Sequence, residues 1–187
     1  LITVAPLSGG ITNENWVATI DGRRHVVRVP GDRTDVLGID RGHEAEAANR
    51  AARLGIGPPI TGVLPEVGTL ITEFIPGEHL EPAPFASRLD DVIDLVRRFH
   101  DGGAIAGQFP IHRVVEQHAR DALANGVPTP AAFPRLHEQS RRIETAFGRA
   151  PVAPVPCHND LLPGNVLFDH AGGVWLLDFE YAGMNDR

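Results

Sequence analysis

The residues best suited to chemistry lie near the end of the chain. In His158-Asn159-Asp160-Leu161-Leu162-Pro163-Gly164-Asn165 a carboxylate and an amide stand five positions apart across a Pro-Gly loop. Asp178-Phe179-Glu180 follows after two short apolar runs. Moving a phosphoryl group to a hydroxyl needs a carboxylate that orients the attacking oxygen and takes its proton. It also needs an amide oxygen and a second carboxylate to hold Mg2+ on the phosphates. Asp160 suits the first role, and Asn165 and Asp178 suit the other two. A loop whose His, Asn and Asp only cap turns is the plain alternative, but it leaves their order and spacing without explanation.

The separation of Asp160 and Asn165 is that of Asp and Asn in the protein-kinase catalytic loop, and Asp178 takes the place of the metal-binding Asp of D-F-G. Two upstream stretches bear on the same chemistry. Pro6-Leu7-Ser8-Gly9-Gly10-Ile11-Thr12-Asn13-Glu14-Asn15 lies between two expected strands. Its glycines permit close approach and its backbone N–H groups can face phosphate, which makes Ser8, Gly9, Gly10, Asn13 and Asn15 candidate nucleotide contacts. Arg28, in HVVRVPG, stands where a kinase strand carries its phosphate-binding lysine. A guanidinium can hold phosphate through two bonds and pair with a helix carboxylate, here Glu44 or Glu46.

Other chemistries fall away. All 17 basic residues are arginine, so Schiff-base catalysis and a Walker-type GK[ST] loop are both excluded. The nine histidines form neither H-E-x-x-H nor any other zinc spacing. Cys157 and His158 are adjacent on an extended stretch and point to opposite sides, so Cys157 is expected to be a small buried residue rather than a nucleophile. No G-x-S-x-G marks a hydrolase.

The elements that must position these groups change character once along the chain. Up to about Phe74, runs such as NWVATI, HVVRV and GTLITEF alternate with period two and read as strands. Between them Asp40 to Leu54, closed by Gly55 with Pro58 and Pro59 beyond, reads as one helix. After Pro76-Gly77 the period becomes helical. Leu89, Val92, Ile93, Val96, Phe99 and His100 share one face, as do Ile111, Val114, Val115, His118, Ala122 and Leu123, and a third helix is expected over Phe133 to Phe147. Proline-rich RAPVAPVP is an extended connector. NVLF and VWLLDF, joined by Asp169-His170-Ala171-Gly172-Gly173, form a hairpin.

A chain of 187 residues with 42% hydrophobic and 22% charged residues is expected to be globular and able to bury its own core. A net charge of −7 argues against nucleic-acid and anionic-membrane partners. No apolar run approaches the roughly 18 residues of a membrane span. The first residue is Leu1, no signal peptide is readable, and the lone cysteine favours a reducing, cytoplasmic setting.

Together these pieces resemble the choline/ethanolamine kinases of the bacterial LicA type, within the aminoglycoside-phosphotransferase and protein-kinase-like fold. The matching stretches are LSGGITNENW, VVRVPG, the segment from Arg41 to Glu44 before AARLGIGPP, ITEFIPG, CHNDLLPGNVLF and WLLDFEYAGMNDR, which run from one end of the chain to the other. The resemblance implies an α+β, two-lobed fold: residues 1–75 as an antiparallel-sheet nucleotide-binding lobe with one helix, and 76–187 as a helical lobe carrying the catalytic loop and the metal-binding hairpin. That lobe looks truncated at its C-terminus, since the family has further helices beyond D-F-E-x-A-x-x-N-D.

Carried over by residue, the resemblance makes Asp160 the catalytic base, Asn165 and Asp178 the Mg2+ ligands, and His158 a support behind the loop. Glu73, Phe74 and Ile75 become the hinge that pairs with adenine. The implied cofactors are ATP and Mg2+, and the implied acceptor is a small amino alcohol, choline or ethanolamine. An aminoglycoside, thiamine or a sugar within the same fold, or a non-catalytic nucleotide-binding scaffold, are the alternatives.

Overall fold

The computed structural model describes residues 2–8, 12–31 and 37–186. Its first half is a five-stranded antiparallel sheet in which β1 (Ile2–Leu7), β2 (Asn13–Ile20), β3 (Arg23–Pro30), β4 (Ile60–Leu64) and β5 (Thr69–Glu73) lie in the order β1-β2-β3-β5-β4. Asp21 and Gly22 join β2 to β3 with φ of 50° and 80°. That is the Asp-Gly signature of a two-residue hairpin turn matching the strand twist. The register sets Asn15 opposite Arg28.

Helix α1 (Arg41–Arg53) crosses between β3 and β4 in sequence. Asp40 caps it, accepting hydrogen bonds from the N–H groups of Gly42 and His43 at 2.8 and 3.0 Å. It stops at Leu54, after which Gly55 turns the chain with φ 64°. Ala47, Ala48 and Ala51 form its buried face. Small residues let the following segment approach closely, and Gly57 sits so near that a Cβ there would lie 2.9 Å from that of Ala51.

The second half holds α2 (Pro82–Ala86), α3 (Leu89–His100), α4 (Ile111–Ala124) and α5 (Phe133–Gly148). It also has two small sheets: β6 (Gly77–Glu78), β8 (Val166–Asp169) and β9 (Val174–Leu176) in the order β6-β8-β9, and β7 (Val155–Cys157) paired with β10 (Gly183–Asn185). The β8–β9 turn is built on Asp169, whose carboxylate accepts from Ala171 N–H, Gly173 N–H and Trp175 Nε1–H at 2.7–2.8 Å. These bonds hold its carboxyl below the usual range, that from Trp175 most of all.

One apolar core runs through both halves. It joins Ala47, Ala48 and Ala51 of α1 to Leu70 of β5, then to Val92, Leu95 and Phe99 of α3, Val166 and Phe168 of β8, Leu176 of β9, and Phe179. The buried seam of α3 is Val92, Leu95 and Phe99, whereas Leu89, expected on that face, is 47% exposed. Leu89 opens the first turn of α3. Helices α4 and α5 bury no residue, so the apolar face expected on α4 is not a core face here. Among the described residues no helix is long and apolar enough to cross a membrane.

Candidate functional site

A cavity of about 440 Å³ opens between the five-stranded sheet and the segment 164–179. Val26, Ile60, Leu70 and Leu167 give it apolar walls suited to a flat ring. Ser8, Asn15, Arg28, Glu73, Phe74, Ile75, Asn165 and Asp178 all line it. Gly9 and Gly10 lie outside the described residues. Glu44 and Asp160 are not on the wall but are bonded to Arg28 and Asn165, which are, whereas the amide of Asn13 bonds Thr12 and Glu180, outside the wall. The Phe74 N–H is spent on the Arg24 carbonyl at 3.1 Å and the Glu73 N–H on that of Pro59 at 2.9 Å. Of the three amides of residues 73–75, that of Ile75 has no hydrogen bond among the described residues.

Arg28 projects from β3 into a knot of carboxylates. Its Nη1 lies 2.9 Å from Glu44 Oε1, and its Nη2 lies 2.5 Å from Asp178 Oδ1 and 3.4 Å from Glu180 Oε2. Burial opposes the charge on Arg28, but the three carboxylates hold its pKa above the ordinary arginine value. The choice between Glu44 and Glu46 is settled by position on α1. Glu44 is buried beneath the sheet, with Arg41 Nη1 also on it at 2.6 Å, while Glu46 accepts from the Ala106 N–H at 2.9 Å.

Around Asp160 the hydrogen bonds are local. The Asn165 Nδ2 donates to the Asp160 carbonyl and to its Oδ2, at 2.9 and 3.0 Å. Leu162 N–H bonds the same carbonyl, and the Asn165 carbonyl accepts from Leu177 N–H at 2.8 Å, which ties the loop to the stretch entering Asp178. His158 lies behind the loop, 2% exposed. Its Nε2 is 2.8 Å from the Leu177 carbonyl and its Nδ1 is 3.3 Å from the Asp160 N–H. Those partners assign a neutral ring with the proton on Nε2. Burial pushes its pKa down, in keeping with that tautomer.

Two non-glycine residues here have left-handed backbone, Asn159 and Asp178, both with φ 63°. Asn and Asp tolerate this region best. Asn159 is fixed there by its Nδ2 on the Tyr181 carbonyl and by Asn185 Nδ2 on its Oδ1, both at 2.9 Å. Cys157 is a buried free thiol whose pKa is raised by burial and then by Asp186.

The donor set fits Mg2+. With its Nδ2 spent on Asp160, Asn165 has its amide oxygen left for a cation. Asp178, with Oδ1 on Arg28, keeps its other oxygen. Among the described residues no cluster of three or more His, Cys, Asp or Glu could hold a metal. Two hard oxygen ligands completed by phosphate and water are what Mg2+ prefers.

Sequence reasoning named neither Thr12 nor Arg41 as a site residue. Thr12 Oγ1 lies 3.0 and 2.9 Å from the two oxygens of Glu180. Arg41 Nη1 stands 3.7 Å from Glu180 Oε2, while its buried Nε and Nη2 have no partner among the described residues. Thr12 beside Asn13 in the glycine-bearing loop was the available signal. A second cavity, of about 430 Å³, starts where the first leaves off along the chain: Asp178 and Phe179 line the first, and Glu180, Tyr181 and Ala182 the second. Phe109 and Tyr181 meet there edge to face, with centroids 6.2 Å apart.

The family model described as "Phosphotransferase enzyme family" matches residues 3–187. Among curated proteins, "Probable choline kinase 1" of Arabidopsis thaliana is 28% identical over 98% of this chain and 56% of its own length, and "Protein LicA" of Haemophilus influenzae is 25% identical over 95% and 53%. The chain thus spans little more than half the length of these relatives. Among solved structures, a choline/ethanolamine kinase family protein from Mesorhizobium loti superposes with a TM-score of 0.77 at 27% identity, over 98% of this chain and 60% of that one. Choline kinase LicA from Streptococcus pneumoniae gives 0.84 at 24% identity, over 98% and 65%. The architecture is accordingly the two-lobed, protein-kinase-like one of choline kinases and aminoglycoside phosphotransferases.

Proposed function

We propose, from the premise that the chain belongs to the phosphotransferase enzyme family, that it transfers the γ-phosphoryl group of ATP to the hydroxyl of a small amino alcohol, choline or ethanolamine. The observation that carries this reading is the single cavity in which the 73–75 segment, Arg28, Asn165 and Asp178 meet, with Asp160 bonded to Asn165 at its edge. On this reading residues 1–75 form the nucleotide lobe and 76–187 the lobe that brings the acceptor.

The 73–75 segment holds adenine through its backbone and the apolar walls clamp the ring. Arg28 is preset by Glu44 and Asp178 to place positive charge beside the phosphates. Asp160 has Oδ2 engaged by Asn165, so Oδ1 is the oxygen that orients the acceptor hydroxyl and takes its proton. Asn165 and Asp178 would hold Mg2+, which when bound supplies neutralisation of the charge that spreads over the transferred group. His158, neutral and fixed at both nitrogens, keeps the Asp160 loop and the Asp178 segment in register.

The acceptor reading draws on the names of the relatives, which include an ethanolamine kinase of Mus musculus 24% identical to this chain. It also draws on the second cavity, where Tyr181 and Phe109 present aromatic surface near Asp40 and Asp121. Aromatic faces with nearby carboxylates suit a cationic head group. ATP consumption with Mg2+ against choline, ethanolamine, thiamine and an aminoglycoside tests the proposal. Turnover dependent on choline or ethanolamine supports it, and turnover confined to the aminoglycoside or thiamine replaces the acceptor.

A further inference from the structure

Glu180 is the most heavily bonded carboxylate described. Its side chain is 4% exposed, deep between the two halves. Both oxygens take the Thr12 hydroxyl, and Oε2 also takes Asn13 Nδ2 at 3.0 Å. Arg28 Nη2 and Arg41 Nη1 stand at 3.4 and 3.7 Å from the same oxygen. Asn13 is itself buried, and its Nδ2 also bonds Thr12 Oγ1 at 3.0 Å. The backbone of Thr12 is held as firmly, because its carbonyl accepts from Gly31 N–H at 2.9 Å. Gly31 must be glycine for this contact, since a Cβ there would come within 2.9 Å of the Thr12 oxygen.

These bonds close a ring. From Thr12 and Asn13 the chain runs two residues along β2 to Asn15, which pairs with Arg28 across the sheet. Arg28 bonds Asp178, and two residues further Glu180 returns to Thr12 and Asn13. Asn15, Arg28 and Asp178 all face the nucleotide cavity. Opening the ring at Glu180 frees the start of β2 from the Asp178 segment while leaving the Arg28 to Asp178 contact in place. Asn165 and Asp178 each retain an uncommitted oxygen for a cation, whereas the Glu180 oxygens are already filled by neutral donors that would have to be displaced.

We infer that Glu180 is a positioning residue: it fastens Thr12 and the first residue of β2 to the Asp178 segment, and so sets how tightly the nucleotide is held without acting as a metal ligand. The inference rests on the proposed nucleotide role of the cavity and deepens it.

A double-mutant cycle on Thr12→Val and Glu180→Gln tests it, with each variant first confirmed folded by circular dichroism. The readout is the Kd of a non-hydrolysable ATP analogue, measured by calorimetry across a series of Mg2+ concentrations. Each single variant is expected to weaken binding by roughly 5- to 30-fold, and the double variant by no more than the worse single. The Mg2+ midpoint should move less than about twofold. Losses that multiply in the double variant, or a Mg2+ midpoint shifted severalfold by Glu180→Gln but not by Thr12→Val, overturn the inference. Amide hydrogen exchange without nucleotide supplies a second readout. Glu180→Gln should speed exchange over residues 13–16 by roughly tenfold while β4 and β5 stay unchanged, and unchanged exchange over 13–16 overturns the clamp. Should the unmodified chain bind no analogue, the nucleotide reading fails, and the exchange result alone decides whether the clamp stands.

Discussion

The Asp178 segment and the α4–α5 hairpin spend their charged residues in opposite ways. At the first, Arg28, Glu44 and Glu180 are at least 86% buried as side chains, and every carboxylate there meets an arginine or a hydroxyl. At the second, Arg113 bridges Glu116 on α4 to Glu144 on α5 with its own side chain 50% exposed, and Leu123, Leu136, Ile143 and Phe147 are at least half exposed. The difference teaches where rigidity is placed. Buried charges that lose a partner are costly, so the network fixes one geometry for groups at the wall of the first cavity. Exposed pairs contribute little, so the hairpin's own contacts leave its position loosely determined.

Removing the central cation should show the contrast at its largest. Arg28→Met leaves Glu44, Asp178 and Glu180 facing one another in a buried space, and a loss of about 3–5 kcal/mol in stability is expected from urea unfolding. A loss under about 1 kcal/mol would mean that the knot is better solvated than its burial indicates. Phe99→Ala tests the apolar support beneath it. Phe99 is 1% exposed and packs on Phe179 at 5.4 Å between centroids, so a cost of about 3–4 kcal/mol is expected in the same assay.

His158 sharpens the comparison through pH. Its folded pKa lies below the ordinary histidine value, so below pH about 6.5 the unfolded chain binds a proton that the folded one refuses. The stability is intact above that pH and is lost as the pH falls toward the folded value, with a slope of up to about 1.4 kcal/mol per pH unit. His158→Gln should flatten this part of the profile, and an unchanged slope would assign it to other groups. The smallest effect is expected on the hairpin: Glu144→Ala should cost less than about 1 kcal/mol and shrink further in salt.

Much of this was legible before any fold. Period-two runs located β2, β3 and β5, and helical patterns located α1 and α3 to α5, while β4 had no such signal and Asp40, taken as the start of α1, is its cap. The spacing of Asp160, Asn165 and Asp178 picked out residues that the fold does bring together. What escaped was long-range or geometric. The Thr12 to Glu180 bond spans 168 positions, and no local pattern pairs residues so far apart. The left-handed φ of Asn159 and Asp178 is decided by the bonds around them, and a preference for Asn and Asp states only that such a backbone is permitted. The face of α3 drifted because periodicity marks an apolar stripe, whereas burial depends on which neighbour meets each turn. Asp169 was placed in the hairpin joint by its sequence, but the three bonds by which its carboxylate organises that turn were not legible there.

The central claim is that Asp160 handles the acceptor's proton while the rest of the cavity holds the nucleotide. Asp160→Ala, compared with the unmodified protein for turnover with choline or ethanolamine and for the Kd of an ATP analogue, separates those roles. The account predicts kcat lower by roughly 10²- to 10⁴-fold with the Kd changed by no more than about threefold. Full turnover in the variant would contradict it.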